Sequence, residues 1–277
     1  MNHPVFEKNR VAVITGGASG IGLAVAQKLA NFGMRVCIAD INEVDLENAA
    51  DVIDGDVLTV KTDVSNLEDI ERLRDQVLAE WGEVNLLMNN AGIAGQGAGP
   101  WTGLDMWQKI INTNLWGIIN SVQTFLPVMV SSGTPGAVIC TGSKQGITNP
   151  PGSTAYNVAK AGVRSLTEGI AHELRNTENC KLTAHLLVPG FTYTGMMRKH
   201  MLEQPAAAWD SEQVAEMLIE RMGSGDFYII CPDNDVTTDM DNKRLQWNTD
   251  DLIKNRPALS RWHPDFAEEF SDFMKDA

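Results

Sequence analysis

The chain has 277 residues, 43% of them hydrophobic and 21% charged, with a formal net charge of -14 at pH 7. That length accommodates one large α/β domain with a full core, and the acidic balance argues against a nucleic-acid partner, whose phosphates require clustered cations. No stretch approaches the roughly 20 apolar residues of a membrane span, and the opening MNHPVFEKNR lacks the pattern of a secretory signal; a soluble, cytoplasmic protein without a membrane partner is expected.

Residues 11–14 form a short apolar run and 20–32 a helical pattern, joined by TGGASGIG at 15–22. Small residues at a strand-to-helix junction leave the helix N-terminal N–H groups uncovered, and those donors, with the helix dipole, favour a dinucleotide pyrophosphate. Gly16, Ser19, Gly20, Ile21 and Gly22 are the candidate contacts. A glycine turn also arises for steric reasons alone, so company is needed. The next run, 35–39, leads to Asp40, eighteen residues after Gly22. A carboxylate at that spacing accepts hydrogen bonds from ribose hydroxyls and repels a 2′-phosphate, and Ile41 beside it is not basic, which favours NAD over NADP. The bland alternative is a turn aspartate.

A helix at 43–53, a strand at 57–62, a helix at 67–81 and a strand at 85–89 continue the alternation. A Gly-rich loop at 92–103 precedes a long helix at 105–130, where Asn114 on its own reads as a solvent-facing amide. The strand 137–141 runs into Ser143, whose hydroxyl is placed to bond a substrate oxygen, and 145–155 reads as a loop from its Gly and Pro content. On the following helix, 154–176, Tyr156 and Lys160 are spaced i, i+4 and share one face. A phenol titrating near pH 10 is a poor base at neutral pH unless a neighbouring cation lowers that value, which is the chemistry such a pair offers. A strand at 182–188, a helix at 211–222 and a last strand at 227–231 complete the series. Short apolar strands alternating with helices predict a doubly wound parallel sheet covered on both faces, with ligands at the strand C-terminal edge.

Cys37, Cys140 and Cys231 sit in apolar runs and no CxxC pair occurs, so the cysteines read as small hydrophobes. The five histidines show no ligand spacing, and no metal is expected. From residue 232 the chain turns polar and acidic and carries Trp247 and Trp262; it reads as an extension packed by its aromatics on its own domain, with a neighbouring subunit as the alternative.

Together these residues resemble the short-chain dehydrogenases/reductases, in the shorter single-domain subfamily. TGGASGIG looks like the family's cofactor motif, Asp63-Val64 like its adenine-contacting pair, and NNAG at 89–92, with Asn90, Ala91 and Gly92, like its motif after strand four. Asn114, Ser143, Tyr156 and Lys160 look like the catalytic tetrad, and Pro189-Gly190 with Thr192 and Thr194 like the segment that holds the nicotinamide amide. The resemblance covers roughly residues 9–231 and implies a Rossmann domain with strand order 3-2-1-4-5-6-7, a substrate lid at 191–210, and a separate C-terminal extension at 232–277. It implies that Tyr156 exchanges the proton, Ser143 polarises the substrate oxygen, Lys160 binds ribose hydroxyls and lowers the Tyr156 pKa, and Asn114 holds a relay water. It also implies a homo-oligomer, dimer or tetramer.

Two features depart from the family pattern. Ser143 is followed by Lys144 and Gln145, which places both as candidates for the substrate pocket, and FYIICPDND stands where a glycine-rich ending is common. The lid residues Phe191, Tyr193, Met196, Met197, Met201 and Trp209 suggest an apolar substrate. The expected activity is hydride transfer between NAD(H) and a moderately apolar secondary alcohol. The alternatives are an NADPH-dependent carbonyl or acyl-thioester reductase, for which Asp40 is the contrary residue, and a cofactor-binding regulatory protein without turnover.

Overall fold

The computed structural model describes residues 3–94, 98–195 and 203–275. Seven strands form one sheet: β1 (Val11–Thr15), β2 (Arg35–Asp40), β3 (Val57–Lys61), β4 (Leu86–Asn89), β5 (Gly136–Thr141), β6 (Leu182–Val188) and β7 (Tyr228–Ile230). Their order is β3-β2-β1-β4-β5-β6-β7, and every pairing is parallel. Central strands β1, β4 and β5 are buried along their whole length, which is why they read as unbroken apolar runs rather than alternating ones.

Helices α1 (Gly20–Asn31), α2 (Glu43–Ala50), α3 (Leu67–Trp81), α4 (Leu104–Ile111), α5 (Gly117–Ser131), α6 (Gln145–Thr148), α7 (Thr154–Asn176) and α8 (Ser211–Gly223) surround the sheet. Two apolar clusters, one on each face, divide the strand side chains between them: Ala12, Ile14 and Ile38 pack with α1 and α8, whereas Val11, Val13 and Cys37 pack with α3, α5 and α7. Successive residues of each strand point to opposite faces, so both layers draw their core from the same short runs.

Two departures from the predicted elements bear on function. The helix expected at 105–130 is divided into α4 and α5 by a π-helical turn at Asn112–Trp116, a form found most often at functional sites. The loop expected at 145–155 opens with α6, which lies so close to α7 that a Cβ on Gly146 would stand 2.5 Å from the Lys160 carbonyl carbon. Beyond β7 the chain builds α9 (Thr238–Ile253), two short 3-10 turns and α10 (Ala267–Phe273). Among the described residues, no helix is long and apolar enough to cross a membrane.

Candidate active site

At the strand C-terminal edge, β1 turns into α1 with Gly16 at φ +64° and Gly20 at φ +56°, a backbone region that side chains disfavour. Space excludes side chains as well: a Cβ on Gly16 would stand 2.7 Å from the Ala91 Cα, and one on Gly22 would stand 2.2 Å from the Gly16 oxygen. Ser19 is the N-cap of α1 yet makes no side-chain capping hydrogen bond, and the first turn carries no acidic residue. Uncapped N–H groups, a positive dipole end and a floor too tight for a Cβ fit a pyrophosphate.

The second glycine wall is held by residues after β4. Asn90 donates from Nδ2 to the Gly16 oxygen at 3.1 Å, and the Thr15 hydroxyl accepts from the Asn90 and Ala91 N–H groups at 3.1 and 3.3 Å. Thr15 was not singled out in the sequence; a hydroxyl at a strand end directly before a glycine turn was the available signal. Gly92 lies against Asn114, whose Oδ1 would be 3.2 Å from a Cβ there.

Asp40 ends β2, with Oδ1 accepting from the Asn42 N–H at 3.3 Å, and Ile41 beside it is 61% exposed. Asp63 accepts from Ser65 through Oδ1 and its N–H donates to Asp69, so its loop is fixed locally. Val64 is buried against Gly117, at the start of α5. Thus the candidate adenine contacts follow β3 and the candidate ribose carboxylate ends β2, on the same sheet edge as the glycine turn.

The four candidate catalytic residues come from β5, α7 and the π-helical turn. Tyr156 is hydrogen-bonded to Ser143. Lys160 is buried and its Nζ donates to the Thr141 carbonyl at 2.7 Å, lying 5.7 Å from the Tyr156 ring centre. Burial pushes the Lys160 ammonium down to about 8. It also raises the Tyr156 phenol, with the Ser143 hydrogen bond working in the opposite direction. The sequence-based expectation had a lysine lowering the phenol; in this geometry desolvation dominates, and the Lys160 charge is directed at a main-chain oxygen.

Asn114 is fully buried rather than solvent-facing. Its Oδ1 accepts from the Ile93 N–H at 2.8 Å and its Nδ2 donates to the Ile93 oxygen at 2.9 Å. One amide therefore ties the π-helical turn to the loop that follows β4.

After β6, the Thr192 hydroxyl donates to the Gly190 oxygen at 3.1 Å, and Thr192 forms a bridge with Trp209. Thr194 lies over the glycine turn, 3.2 Å from where a Gly20 Cβ would stand. The candidate nicotinamide segment thus crosses directly above the candidate pyrophosphate site. Phe191, Tyr193 and Trp209 hold the base of the lid through backbone bonds, while Met196, Met197 and Met201 lie outside the described residues.

Lys144, expected as a pocket residue, is engaged by carboxylates of the C-terminal extension. Its Nζ is 2.7 Å from Asp241 Oδ2 and 3.4 Å from Asp233 Oδ2. No local sequence signal marked these partners. Among the described residues, no group of three or more His, Cys, Asp or Glu could hold a metal ion.

The family model described as short chain dehydrogenase matches residues 10–205. The "CLA biosynthesis dehydrogenase/reductase" of Lactiplantibacillus plantarum is 30% identical over 192 residues, covering 68% of this chain and 67% of that protein. The 1-deoxy-11-beta-hydroxypentalenate dehydrogenase of Streptomyces exfoliatus is 30% identical over 230 residues, 80% of this chain and 82% of its own. The alignments to other relatives span as little as 61% of those proteins' own length. A crystal structure of a short chain dehydrogenase/reductase from Burkholderia phymatum in complex with NAD superposes with a TM-score of 0.81 at 29% identity, covering 90% of this chain and 96% of that one. With the family pattern matched across the glycine turn, the strand edge and the Ser-Tyr-Lys set, the chain belongs to the short-chain dehydrogenases/reductases, oxidoreductases on a nicotinamide-cofactor-binding fold.

Proposed function

We propose that this oxidoreductase transfers hydride between NAD(H) and a moderately apolar secondary alcohol or its ketone. The observation that carries the reading is the convergence of Ser143, Tyr156 and Lys160 beside the glycine turn, with Asp40 ending the neighbouring strand. When bound, the dinucleotide supplies the hydride chemistry.

The chain's own residues do the rest. The α1 N-terminus and Gly16–Gly22 bind the pyrophosphate with Asn90–Gly92 behind them, Asp40 accepts from the adenosine ribose, Asp63-Val64 line the adenine side, and Pro189, Gly190, Thr192 and Thr194 orient the nicotinamide. Ser143 donates to the substrate oxygen, the Tyr156 hydroxyl exchanges its proton, and Lys160 holds ribose hydroxyls and supplies positive charge near the developing phenolate. Positioning by Ser143 and proton transfer by Tyr156 each act only as charge shifts on that oxygen, which is what makes them catalytic rather than merely binding contacts. Asn114 keeps the turn under the site in register. Trp101 at 88% exposed, with Leu104, Trp116 and Val158 also exposed, supports a homo-oligomer that covers such side chains.

The test is oxidation of a graded panel of aliphatic, aryl and cyclic alcohols, with NAD and NADP in parallel. Turnover with NAD well above NADP is expected, and Tyr156→Phe lowers kcat by about 100-fold or more, the range for losing a general acid–base. Full turnover of Y156F would remove the proton-exchange assignment. Faster turnover with NADP would turn the reading to the NADPH-dependent carbonyl or acyl-thioester reductase.

A further inference from the structure

Three strand ends meet beside the reacting groups. β5 leads to Ser143 and Lys144, β6 to Gly190 and Phe191, and β7 to Asp233. Hydride transfer requires the substrate carbon and the nicotinamide to sit about 3–3.5 Å apart, yet the residues that orient them belong to two separate loops. Asp233 touches both loops. Its Oδ2 accepts from the Phe191 N–H at 3.1 Å and pairs with the Lys144 ammonium at 3.4 Å. The carboxylate side chain is 6% exposed, so water screens the pair little.

The close approach is built into the backbone as well. A Cβ on Gly190 would stand 2.6 Å from the Pro232 oxygen and 3.0 Å from Asp233 Oδ2. Asp233 is itself fixed, because Oδ1 accepts from the Asp235 N–H and its own N–H donates to the Val236 oxygen. On the other side of Lys144, Asp241 of α9 lies at 2.7 Å, and α9 is seated on α6 by the Asn248 amide, which donates to the Ile147 oxygen at 3.3 Å. The ammonium next to the candidate serine is thereby held between two carboxylates of the C-terminal extension.

We infer that Asp233 is a positioning residue for hydride transfer, a carboxylate clamp that sets the Ser143 loop and the Gly190–Phe191 segment at a fixed separation through Lys144 and the Phe191 N–H. The inference rests on the dehydrogenase reading above for its kinetic meaning, while the clamp itself is a property of the chain. Nothing in the clamp touches a reacting atom; it acts by removing freedom between two loops. A looser pair of loops still binds both ligands but seldom aligns them, so the loss falls on kcat rather than on cofactor affinity.

Three substitutions separate the contacts. Asp233→Ala removes both, Asp233→Asn keeps an acceptor for Phe191 but loses the charge facing Lys144, and Lys144→Met leaves Asp233 on Phe191 alone. Expected are kcat losses of about 30-fold to 100-fold for D233A and about tenfold for D233N and K144M, with Lys144→Arg restoring most of the rate. NADH affinity, measured by fluorescence titration, stays within about threefold. Amide hydrogen exchange at residues 190–192 accelerates in D233A and not in K144M. The proposal is overturned if kcat of K144M and D233N stays within twofold of wild type, if K144R is as slow as K144M, or if D233A leaves exchange at 190–192 unchanged. Should D233A fail to fold, the K144M and K144R pair decides, since K144R keeps the positive charge that Asp233 and Asp241 face. If wild-type protein oxidises no alcohol in the panel, the dehydrogenase reading falls, and hydrogen exchange in D233N and D233A decides the clamp independently.

Discussion

The two walls of the site are built on opposite principles. The cofactor wall, from Gly16 to Gly22 with Asn90 and Thr15 behind it, works by the absence of side chains: three close backbone approaches and an uncapped helix end. The proposed substrate wall works by their presence, with Lys144, Asp233, Asp241 and Arg244 gathered into a mostly buried ion cluster. A backbone cradle recognises what every dinucleotide shares, so its geometry tolerates almost no substitution. A buried ion cluster gains little net stability, since desolvation cancels most of the attraction, but it fixes relative position. Burial raises the Asp241 carboxyl above the usual carboxylate range, with Lys144 working in the opposite direction.

The largest effect expected from this contrast is at Gly22. Its Cβ in Gly22→Ala would meet the Gly16 oxygen at 2.2 Å and Asn90 Nδ2 at 2.7 Å, so the turn must open. NADH affinity should fall by at least about 100-fold, and stability by about 1–3 kcal/mol from overpacking, read by fluorescence titration and urea unfolding. Binding within threefold of wild type would mean that the cradle is more compliant than its contacts imply. Alanine at Gly169 on α7, which has nothing within 4 Å of its Cβ position, should leave NADH affinity unchanged.

This asymmetry also decides what could be read from the sequence. Gly16, Gly20 and Gly22, Asp40, and the Tyr156 and Lys160 pair are short-range patterns, in which spacing alone puts groups on one turn or one helix face. The strand end after 137–141 marked Ser143, and resemblance to a family extended the set to Asp63, Asn90 and the strand order. The π-helical turn was not legible, because residues 105–130 are periodic throughout and the irregularity depends on Asn114 finding the Ile93 main chain twenty-one residues away. Helix α6 hides in a Gly- and Pro-rich stretch, since its place depends on Gly146 nestling against Lys160. Lys144 and Asp233 lie eighty-nine residues apart, and no local rule connects a lysine after one strand with an aspartate after another.

A smaller effect on the site, though a larger one on stability, is expected in the extension that carries one side of the ion cluster. Trp247 is buried there, with the Phe270 and Phe273 ring centres at 5.2 and 5.3 Å, the Arg256 guanidinium 3.9 Å above its ring, and its N–H donating to Ser260 at 2.8 Å. Truncating such a residue costs about 3–5 kcal/mol. In Trp247→Ala, hydrogen exchange should rise across 238–273 while the sheet strands stay protected, and kcat should fall about threefold to tenfold with NADH affinity unchanged. A matching rise in exchange through β6 and β7 would show instead that the extension and the sheet are one cooperative unit.

The most gradual effect lies between the walls, at Lys160. Burial holds its ammonium near 8, against 10.5 for a free lysine. Below about pH 8 both the folded and unfolded chains carry the proton, and the folded state bears the full penalty of a buried charge. Between about pH 8 and 10.5 the unfolded chain binds the proton more strongly than the folded one, so this residue makes stability rise with pH, at no more than about 1.4 kcal/mol per unit. Lys160→Met removes the titrating group and also the bond to the Thr141 oxygen, a loss that does not vary with pH. The stability of K160M relative to wild type should therefore be greatest below pH 8 and decline steadily as pH rises toward 10.5, as followed by urea unfolding at a series of pH values. A difference that is flat with pH would mean that the Thr141 carbonyl solvates the charge as well as water does. In that case the lysine would not be a strained cation held ready to favour a phenolate at Tyr156, and its place would be explained by packing and one hydrogen bond.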